Sequence, residues 1–542
     1  MQFICFFLVS VLISFAWLSP FHTYPWVTFS GELASFSAGL VLLAVFLNKK
    51  IIIPRAQLWI TPIIAVPLLQ WSFGLVNDFS TALLSSLYVF AFWLMIVLGY
   101  NLSLQADQRE ALMQEISKLL FGIAIVCSVM AIVQWCGLGG VINGIMQLKG
   151  DRPYANFGQP NHLATFLIMG LMGALYLYEK RAIASYWLLP ASLLILFTVA
   201  LTQSRTSWVV CLFILFYWMY KQYKQQPRFN FRLLWVWCIG FFVIAIWGLP
   251  LLGNLFSSEV IQTSSVAERA SSGYLRFDIW TQMLLALKQQ PWLGYGWNQT
   301  SVAQISIFNL HPSHEWVISA HNVLLDLLVW NGLPLGLFII AYMGLWFFWL
   351  DRNAKDSTSV IAIMMVAAIL IHAMLEFPQR YAYFLLPMGF LLGLVQTQTP
   401  QLKAVALNKH VVRFIWLIGI VLLLLIWRDY KLFQENSRLI FKKQQPTVEI
   451  LGSSKILLLT QFQQRLDWIS LKPQTQMSER DLEWINALVK NKATPYNLKK
   501  YAQVLVYNHK FEEAEQQLFI LQQLYGQTLS LPEVVEMNKQ AR

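Results

Sequence analysis

Runs of about twenty mainly apolar residues, the length that crosses a hydrocarbon core of ~30 Å, recur along this chain from Phe3 to about Trp427 with short polar connections between them. Their spacing predicts helices near residues 3–18, 31–47, 58–76, 79–100, 117–136, 161–178, 183–201, 206–220, 233–250, 333–350, 358–375, 382–396 and 411–427, about thirteen spans. A transmembrane barrel would show segments of about ten residues with alternating polarity, and a soluble enzyme would not carry apolar runs in this number. The expected fold class is all-α, a polytopic helical bundle. The first segment has no basic start and no small-residue cleavage site before Pro20, so it reads as a retained helix rather than a signal peptide.

Two long polar stretches break the pattern and divide the chain into helices one to nine (1–250), a large loop with interfacial helices (251–332), helices ten to thirteen (333–427) and a helical tail (428–542). In the tail, Leu498, Tyr501, Ala502 and Leu505, then Phe511, Ala514, Leu518 and Leu521, recur at helical spacing on either side of a short polar turn. This predicts a small antiparallel helical module, either a degenerate tetratricopeptide-like pair holding a protein partner or a plain helical cap.

The composition of the 542 residues, 57% hydrophobic and 12% charged, agrees with a membrane protein. With 39 basic and 27 acidic residues the net charge of +12 would suit a polyanion, but in a membrane protein the position of each charge matters more than the sum. One alternate set of short loops holds sixteen Lys and Arg: Lys49, Lys50, Arg55; Arg109, Lys118; Lys180, Arg181; Lys221, Lys224, Arg228, Arg232; Arg352, Lys355; and Lys403, Lys409, Arg413. The other set holds Lys149, Arg152, Arg205 and Arg380. Basic residues resist translocation, so the crowded loops are expected in the cytoplasm with the N-terminus. An odd number of spans then puts the C-terminus and both long polar stretches outside. Most of the charge is thus an orientation signal, and nucleic acid is not an expected partner. The five cysteines lie in or at the ends of apolar segments without a CxxC pair, which argues against structural disulfides and thiolate metal sites.

Candidate chemistry gathers in the outward loops. Arg205 in Thr202-Gln203-Ser204-Arg205-Thr206-Ser207 has almost no loop to solvate it and is either an interface anchor or a ligand for an anion. The loop from Gly150 to Ala164 combines Arg152, Asn156, Gln159, Asn161 and His162, a set of amides and a guanidinium suited to sugar hydroxyls and phosphate oxygens. In the large loop, Arg276 is followed by Asp278, a possible ion-pair partner. Gly294-Tyr295-Gly296 lacks the context of a phosphate loop and reads as a turn. His311, His314, Glu315 and His321 invite a zinc reading, but their spacing matches no common zinc motif. The alternative is that His321, at the head of a short interfacial helix, serves as a general base. His372, Glu376, Gln379, Arg380, Tyr381 and Tyr383 crowd a short outward turn, as a satisfied structural network or as part of a site.

Gly150-Asp151-Arg152-Pro153, Asn156-Phe157-Gly158-Gln159-Pro160-Asn161-His162-Leu163-Ala164, Arg276 with Pro291 and Gly294-x-Gly296, Ala320-His321-Asn322, and His372-x3-Glu376-Phe377-Pro378 with Tyr381-Ala382-Tyr383-Phe384-Leu385 occur in this order. Together they resemble the bacterial protein O-oligosaccharyltransferases of the O-antigen ligase and polymerase superfamily, in particular the protein-glycosylating branch, over most of the chain from about residue 20. The resemblance implies metal-independent transfer of a preassembled glycan from undecaprenyl diphosphate, in the membrane, to a Ser or Thr of a periplasmic or pilin protein. It implies no cofactor and a site on the periplasmic face of the inner membrane. His321 matches the family's loop histidine, and Arg205 and Arg276 match the arginines that hold the donor diphosphate. Arg152, Gln159, Asn161, His162, Asn322, Glu376, Arg380, Tyr381 and Tyr383 are the further substrate-binding candidates, and the tail resembles the branch's extra periplasmic domain. Rival readings are a lipopolysaccharide ligase or polymerase with the same chemistry, a transporter or flippase, and a non-catalytic scaffold. A transporter would place polar sites at mid-membrane in broken helices.

Overall fold

A computed structural model describes residues 2–225, 229–255, 260, 274–399, 403–442, 444–446 and 448–540. Ser271-Ser272-Gly273, which open the Arg276 segment, and the stretch 261–270 of the predicted large loop lie outside them. Every one of the thirteen apolar segments is helical. The helices are α1 (Gln2–Leu18), α2 (Phe29–Ala44), α3 (Thr61–Ser72), α4 (Phe79–Leu102), α5 (Ala106–Trp135), α6 (Pro160–Glu179), α7 (Ser185–Leu201), α8 (Arg205–Gln225), α9 (Phe231–Val243) and α10 (Leu249–Leu255). They continue with α11 (Tyr274–Gln289), α12 (Thr300–Ser306), α13 (Val323–Asn353), α14 (Ser357–Ala373), α15 (Ala382–Gln396) and α16 (Lys409–Phe441). The tail adds α17 (Thr460–Ser470), α18 (Glu479–Asn491), α19 (Pro495–Tyr507), α20 (Phe511–Tyr525) and α21 (Leu531–Gln540).

Among the described residues, six helices are both long and apolar enough to cross a membrane: α4, α5, α6, the stretch Phe231–Gly253, α13 and α16, and five apolar helices are shorter. Helix α3 has 12 residues. At ~1.5 Å per residue such a helix falls short of a ~30 Å core. The fold is a helical membrane bundle. Three boundaries differ from the sequence reading. Helix α5 begins at Ala106 because the polar run to Ser117 is itself a good helix former. Helix α13 carries the short predicted helix after His321 and the next span as one element, broken at Gly332 (φ 71°, ψ 174°). Helix α16 runs on through Phe441, so the boundary drawn at 427/428 falls inside it.

The chain forms two compact units, residues 1–61, 88–272 and 344–420 in one, and 62–87, 273–343 and 421–542 in the other. In the first unit, polar contacts sort to the two ends of α6. Around its C-terminal end Lys180 pairs with Glu110 at 2.6 Å. Other predicted cytoplasmic loops meet as well: Arg109 with Asp356 at 2.5 Å and Lys221 with Asp351 at 3.0 Å. A short antiparallel ribbon joins β1 (Ile51–Pro54) to β2 (Ala404–Leu407), again two loops of the basic set. Around its N-terminal end lie Asn161 and the amide-rich loop.

The second unit holds the tail. Trp468, Ile485, Leu498, Tyr501, Leu505, Leu518 and Leu521 form its core together with Ile305 and Phe308 near α12. Helices α19 and α20 are the predicted pair, although Phe511 is exposed at the first position of α20 rather than in the core. The tail is tied down by buried charge. Asp429 Oδ2 accepts the N–H groups of Leu457, Leu458 and Leu459 at 2.9, 2.6 and 3.1 Å, while Arg428 donates to the carbonyls of Ile450, Ser453 and Lys455 at 3.0 Å. A buried ion pair stabilises only when its remaining lone pairs and protons are satisfied, and here each partner bonds a different part of one strap.

Candidate functional site

The predicted residues fall into two polar clusters, one in each unit. In the first unit the loop before α6 is shaped by Gln134 near the end of α5, a buried amide in an apolar helix. Its oxygen accepts from Tyr154 N and Ala155 N at 3.0 and 2.8 Å, and its nitrogen donates to Ala155 O at 2.7 Å, which holds Ala155 at a φ of 49°. Asn156, also buried, donates to Leu18 O and Gly144 O at 2.7 Å. The loop's outer residues are thereby aimed at the α14–α15 turn. Arg152 donates through Nε to Thr202 O at 2.8 Å and through Nη2 to Asn161 Oδ1 at 3.2 Å; Asn161 donates to Glu376 Oε1 at 3.2 Å, and Gln159 to Glu376 Oε2 at 3.5 Å. Thr202 belongs to the turn that precedes Arg205, the exposed first residue of α8, so the loop carrying Arg152 is bonded to the turn carrying Arg205.

Behind this layer is an aromatic one. The His162 ring sits 4.5 Å from Tyr381 and 5.6 Å from Phe384, with its Nδ1 3.4 Å from the Tyr383 hydroxyl. At 1% exposure His162 is enclosed. It packs against the turn that carries Tyr381 and Tyr383. Burial pushes the Tyr381 phenol up to about 12, with the Arg380 guanidinium pulling the other way, so at neutral pH the hydroxyl keeps its proton. Arg380 is half-buried at the end of the single turn Pro378–Arg380. Glu32, which the sequence reading missed, accepts from the Ala382 N–H at 2.8 Å and the Tyr88 hydroxyl at 2.7 Å, placing a carboxylate at the N-terminus of α15. An acidic residue in the apolar run of α2 was the available signal.

In the second unit the turn Ser319-Ala320-His321 hangs on one buried carboxylate. Asp326 Oδ1 accepts from Ala320 N and Thr300 Oγ1 at 2.8 Å, and Oδ2 accepts from Ser319 Oγ at 2.5 Å. Ser319 Oγ in turn accepts from His321 N at 3.1 Å. His321 is half-buried with φ 52°, an uncommon conformation for a residue with a side chain and one that is held by its surroundings. Asp326, in Leu324-Leu325-Asp326-Leu327-Leu328, was overlooked although its place in an apolar run marks it in the same way as Glu32. Asn322 caps α13, its oxygen accepting from Leu324 N and Leu325 N at 3.1 Å. Arg276, half-buried in the first turn of α11, is one turn before Trp280, whose indole donates to Ala320 O at 3.0 Å. The helix that carries Arg276 is thus bonded to the turn that carries His321.

The glycine pair is the turn it was expected to be. Tyr295 N and Gly296 N donate to Val329 O and Trp330 O at 2.9 and 3.0 Å, bracing the break in α13. A Cβ on Gly332 would lie 2.3 Å from Trp292 O, and one on Gly294 would lie 2.5 Å from Val329 O, so both positions require glycine. The loop histidines diverge: His311 faces Asp278 at 3.9 Å, and His314 bonds Gln523 O at 2.9 Å in the tail. Among the described residues no three His, Cys, Asp or Glu side chains come together as metal ligands.

The sequence pattern of the protein glycosylation ligases matches residues 153–178, that of O-antigen ligases residues 190–340, and that of the C-terminal part of virulence-factor membrane-bound polymerases residues 360–536. The His321 turn and Arg276 fall within the second match, Gln159, Asn161 and His162 within the first, and Glu376 and Tyr381 within the third. Over 545 aligned residues, 100% of this chain and 96% of the relative, the sequence is 49% identical to a general O-oligosaccharyltransferase of Acinetobacter baylyi. The chain belongs to the O-oligosaccharyltransferase family. A ComP-specific O-oligosaccharyltransferase of the same bacterium is 32% identical over 375 residues, 68% of this chain and 66% of the relative. Family membership makes the protein a glycosyltransferase.

Proposed function

We propose that the protein transfers a preassembled glycan from undecaprenyl diphosphate to a Ser or Thr hydroxyl of a periplasmic or pilin protein, on the outer face of the inner membrane. The observation that carries the reading is the His321 turn: a half-buried imidazole on a positive-φ residue, fixed by Asp326, with Arg276 on the adjoining helix. Strained geometry at a fully satisfied polar turn fits a site whose catalytic group is positioned in advance.

His321 removes the acceptor hydroxyl proton as that oxygen attacks the anomeric carbon. The bond from that carbon to the diphosphate oxygen breaks, its electron pair leaves with the lipid diphosphate, and the configuration inverts. Arg276 and Arg205 neutralise the charge that develops on the leaving group. Bidentate guanidinium groups suit this role, and the reaction asks for no metal. Arg152, Gln159, Asn161, Asn322, Glu376, Arg380, Tyr381 and Tyr383 serve the sugar and the acceptor. The pairing of basic loops with one another supports an alternating topology of thirteen crossings with the N-terminus inside and the tail outside.

Deleting the gene tests the acceptor. Periplasmic or pilin proteins are expected to lose a glycan mass while lipopolysaccharide stays full length; unchanged proteins beside truncated lipopolysaccharide would assign the chain to ligation instead.

A further inference from the structure

The segment from His311 to Asp326, which carries the His321 turn, is held by side chains of one short helix. On α12, Thr300, Ser301 and Gln304 share a face, being three and four residues apart. Thr300 donates to Asp326, Trp316 Nε1 donates to Ser301 Oγ at 2.6 Å, and Ser301 donates to Lys490 O in the tail at 2.7 Å. Gln304 makes the largest set of bonds. Its oxygen accepts from Val317 N at 3.0 Å, and its nitrogen donates to Glu315 O, Gln282 Oε1 and Ser313 Oγ at 2.8, 3.0 and 3.1 Å. Through Gln282 it reaches α11, the helix of Arg276.

The partners fix the direction of these bonds. Glu315 O can only accept and Val317 N–H can only donate, so the Gln304 amide has one orientation. Gln282 is set in the same way: its nitrogen donates to His311 O at 2.7 Å, which leaves its oxygen facing the Gln304 nitrogen. Val317, Gln304, Gln282 and His311 form a one-way relay between the loop and α11. Both amides are 0% exposed. Burying an amide costs free energy unless its groups are bonded, and a fully bonded pair allows the loop and the helix a single register. The bond from Trp280 Nε1 to Ala320 O closes the same frame beside the His321 turn. Two helices and a loop of otherwise irregular backbone are thereby fixed to one another, with Arg276 on one part and His321 on the other.

We propose that Gln304 is a positioning residue for glycan transfer: with Gln282 it sets the placement of the His321 turn relative to the helix of Arg276, so that the base and the diphosphate ligand address one substrate. It touches no reactant and acts through the segment 311–321. The role rests on the proposed function, which assigns the chemistry to His321 and Arg276, whereas the hold on the loop does not.

The test uses the purified full-length protein with lipid-linked glycan and a pilin-type acceptor. In Gln304→Met, which keeps the length of the side chain and removes its bonds, amide hydrogen exchange across 313–322 is expected to quicken at least about tenfold, with the tail helices at 495–525 exchanging as in the wild type. The same variant is expected to lower kcat about 100-fold, the cost of a misplacement of roughly 1 Å, with KM for donor and acceptor within about twofold of wild type. Gln304→Glu, of the same size, is expected to lose as much, because it turns a carboxylate oxygen towards Glu315 O. Gln282→Met interrupts the same relay and gives the same readouts if Gln304→Met fails to fold; where both fold, the double variant is expected to lose less than about twofold more than Gln304→Met. Wild-type exchange in the folded variants, a KM rise in place of a kcat fall, or a double loss equal to the product of the single ones would overturn the role. Quickened exchange with full kcat, in a protein that His321→Ala inactivates, would overturn it while the proposed function stands. Full activity in His321→Ala would overturn the proposed function itself, and the role with it, whatever the exchange shows.

Discussion

The two polar clusters are built on opposite plans. In the first unit, Arg152, Gln159, Asn161 and Glu376 share their bonds across a chain, in which Arg152, Asn161 and Glu376 each touch more than one neighbour. In the second, the backbone at His321 depends on one carboxylate, because Ala320 N, Thr300 and Ser319 all converge on Asp326. A distributed network tolerates the loss of a member and suits recognition of a variable sugar. A turn hung from one group has a single geometry, as a proton-transferring residue requires.

The sharpest way to break this comparison is Asp326→Ala. It strands buried donors at about 1–3 kcal/mol each, and the transfer rate is expected to fall at least ~100-fold with Asn at this position intermediate. Glu376→Gln keeps one acceptor oxygen in the distributed network, and its rate is expected to fall about tenfold, or ~1.4 kcal/mol. If Glu376→Gln proved more damaging than Asp326→Ala, the contrast between the clusters would be wrong. Removing the cap in Asn322→Ala is expected to cost about 1 kcal/mol of stability by denaturant unfolding, with Asn322→Asp close to wild type.

The smallest effect concerns pH in the tail. Burial lowers the Lys500 ammonium from 10.5 to about 8, and it donates to the carbonyls of Trp468 and Ile469. Between those two values the unfolded chain holds a proton that the folded chain has released, so folding stability rises with pH across that window. The penalty is fully present below about 8. Hydrogen exchange in the tail of the full chain should slow from pH 8 to pH 10, after correction for intrinsic exchange, and Lys500→Met should flatten that trend.

The helices were legible because membrane spans are written in uninterrupted apolar runs, and ends were misplaced where a helix runs on into polar sequence: the polar start of α5 and the C-terminal part of α16. The motif residues were legible as residue types in loops. The groups that position them were not, because Gln134, Glu32 and Asp326 lie inside apolar helices, where the pattern reads as membrane span rather than site. A lone carboxylate in an apolar run marks a site, yet Glu32 serves Ala382 across 350 residues, a pairing that no local pattern encodes.

The most direct measurement is reconstitution of the purified protein in vesicles with lipid-linked glycan and a pilin-type acceptor, with and without chelator, beside folded His321→Ala and Arg276→Ala. Glycan transfer that survives chelation and is lost in both variants is the predicted result. Full activity in His321→Ala would remove the proposed base, and loss of wild-type activity on chelation would contradict a reaction carried by arginine and histidine alone.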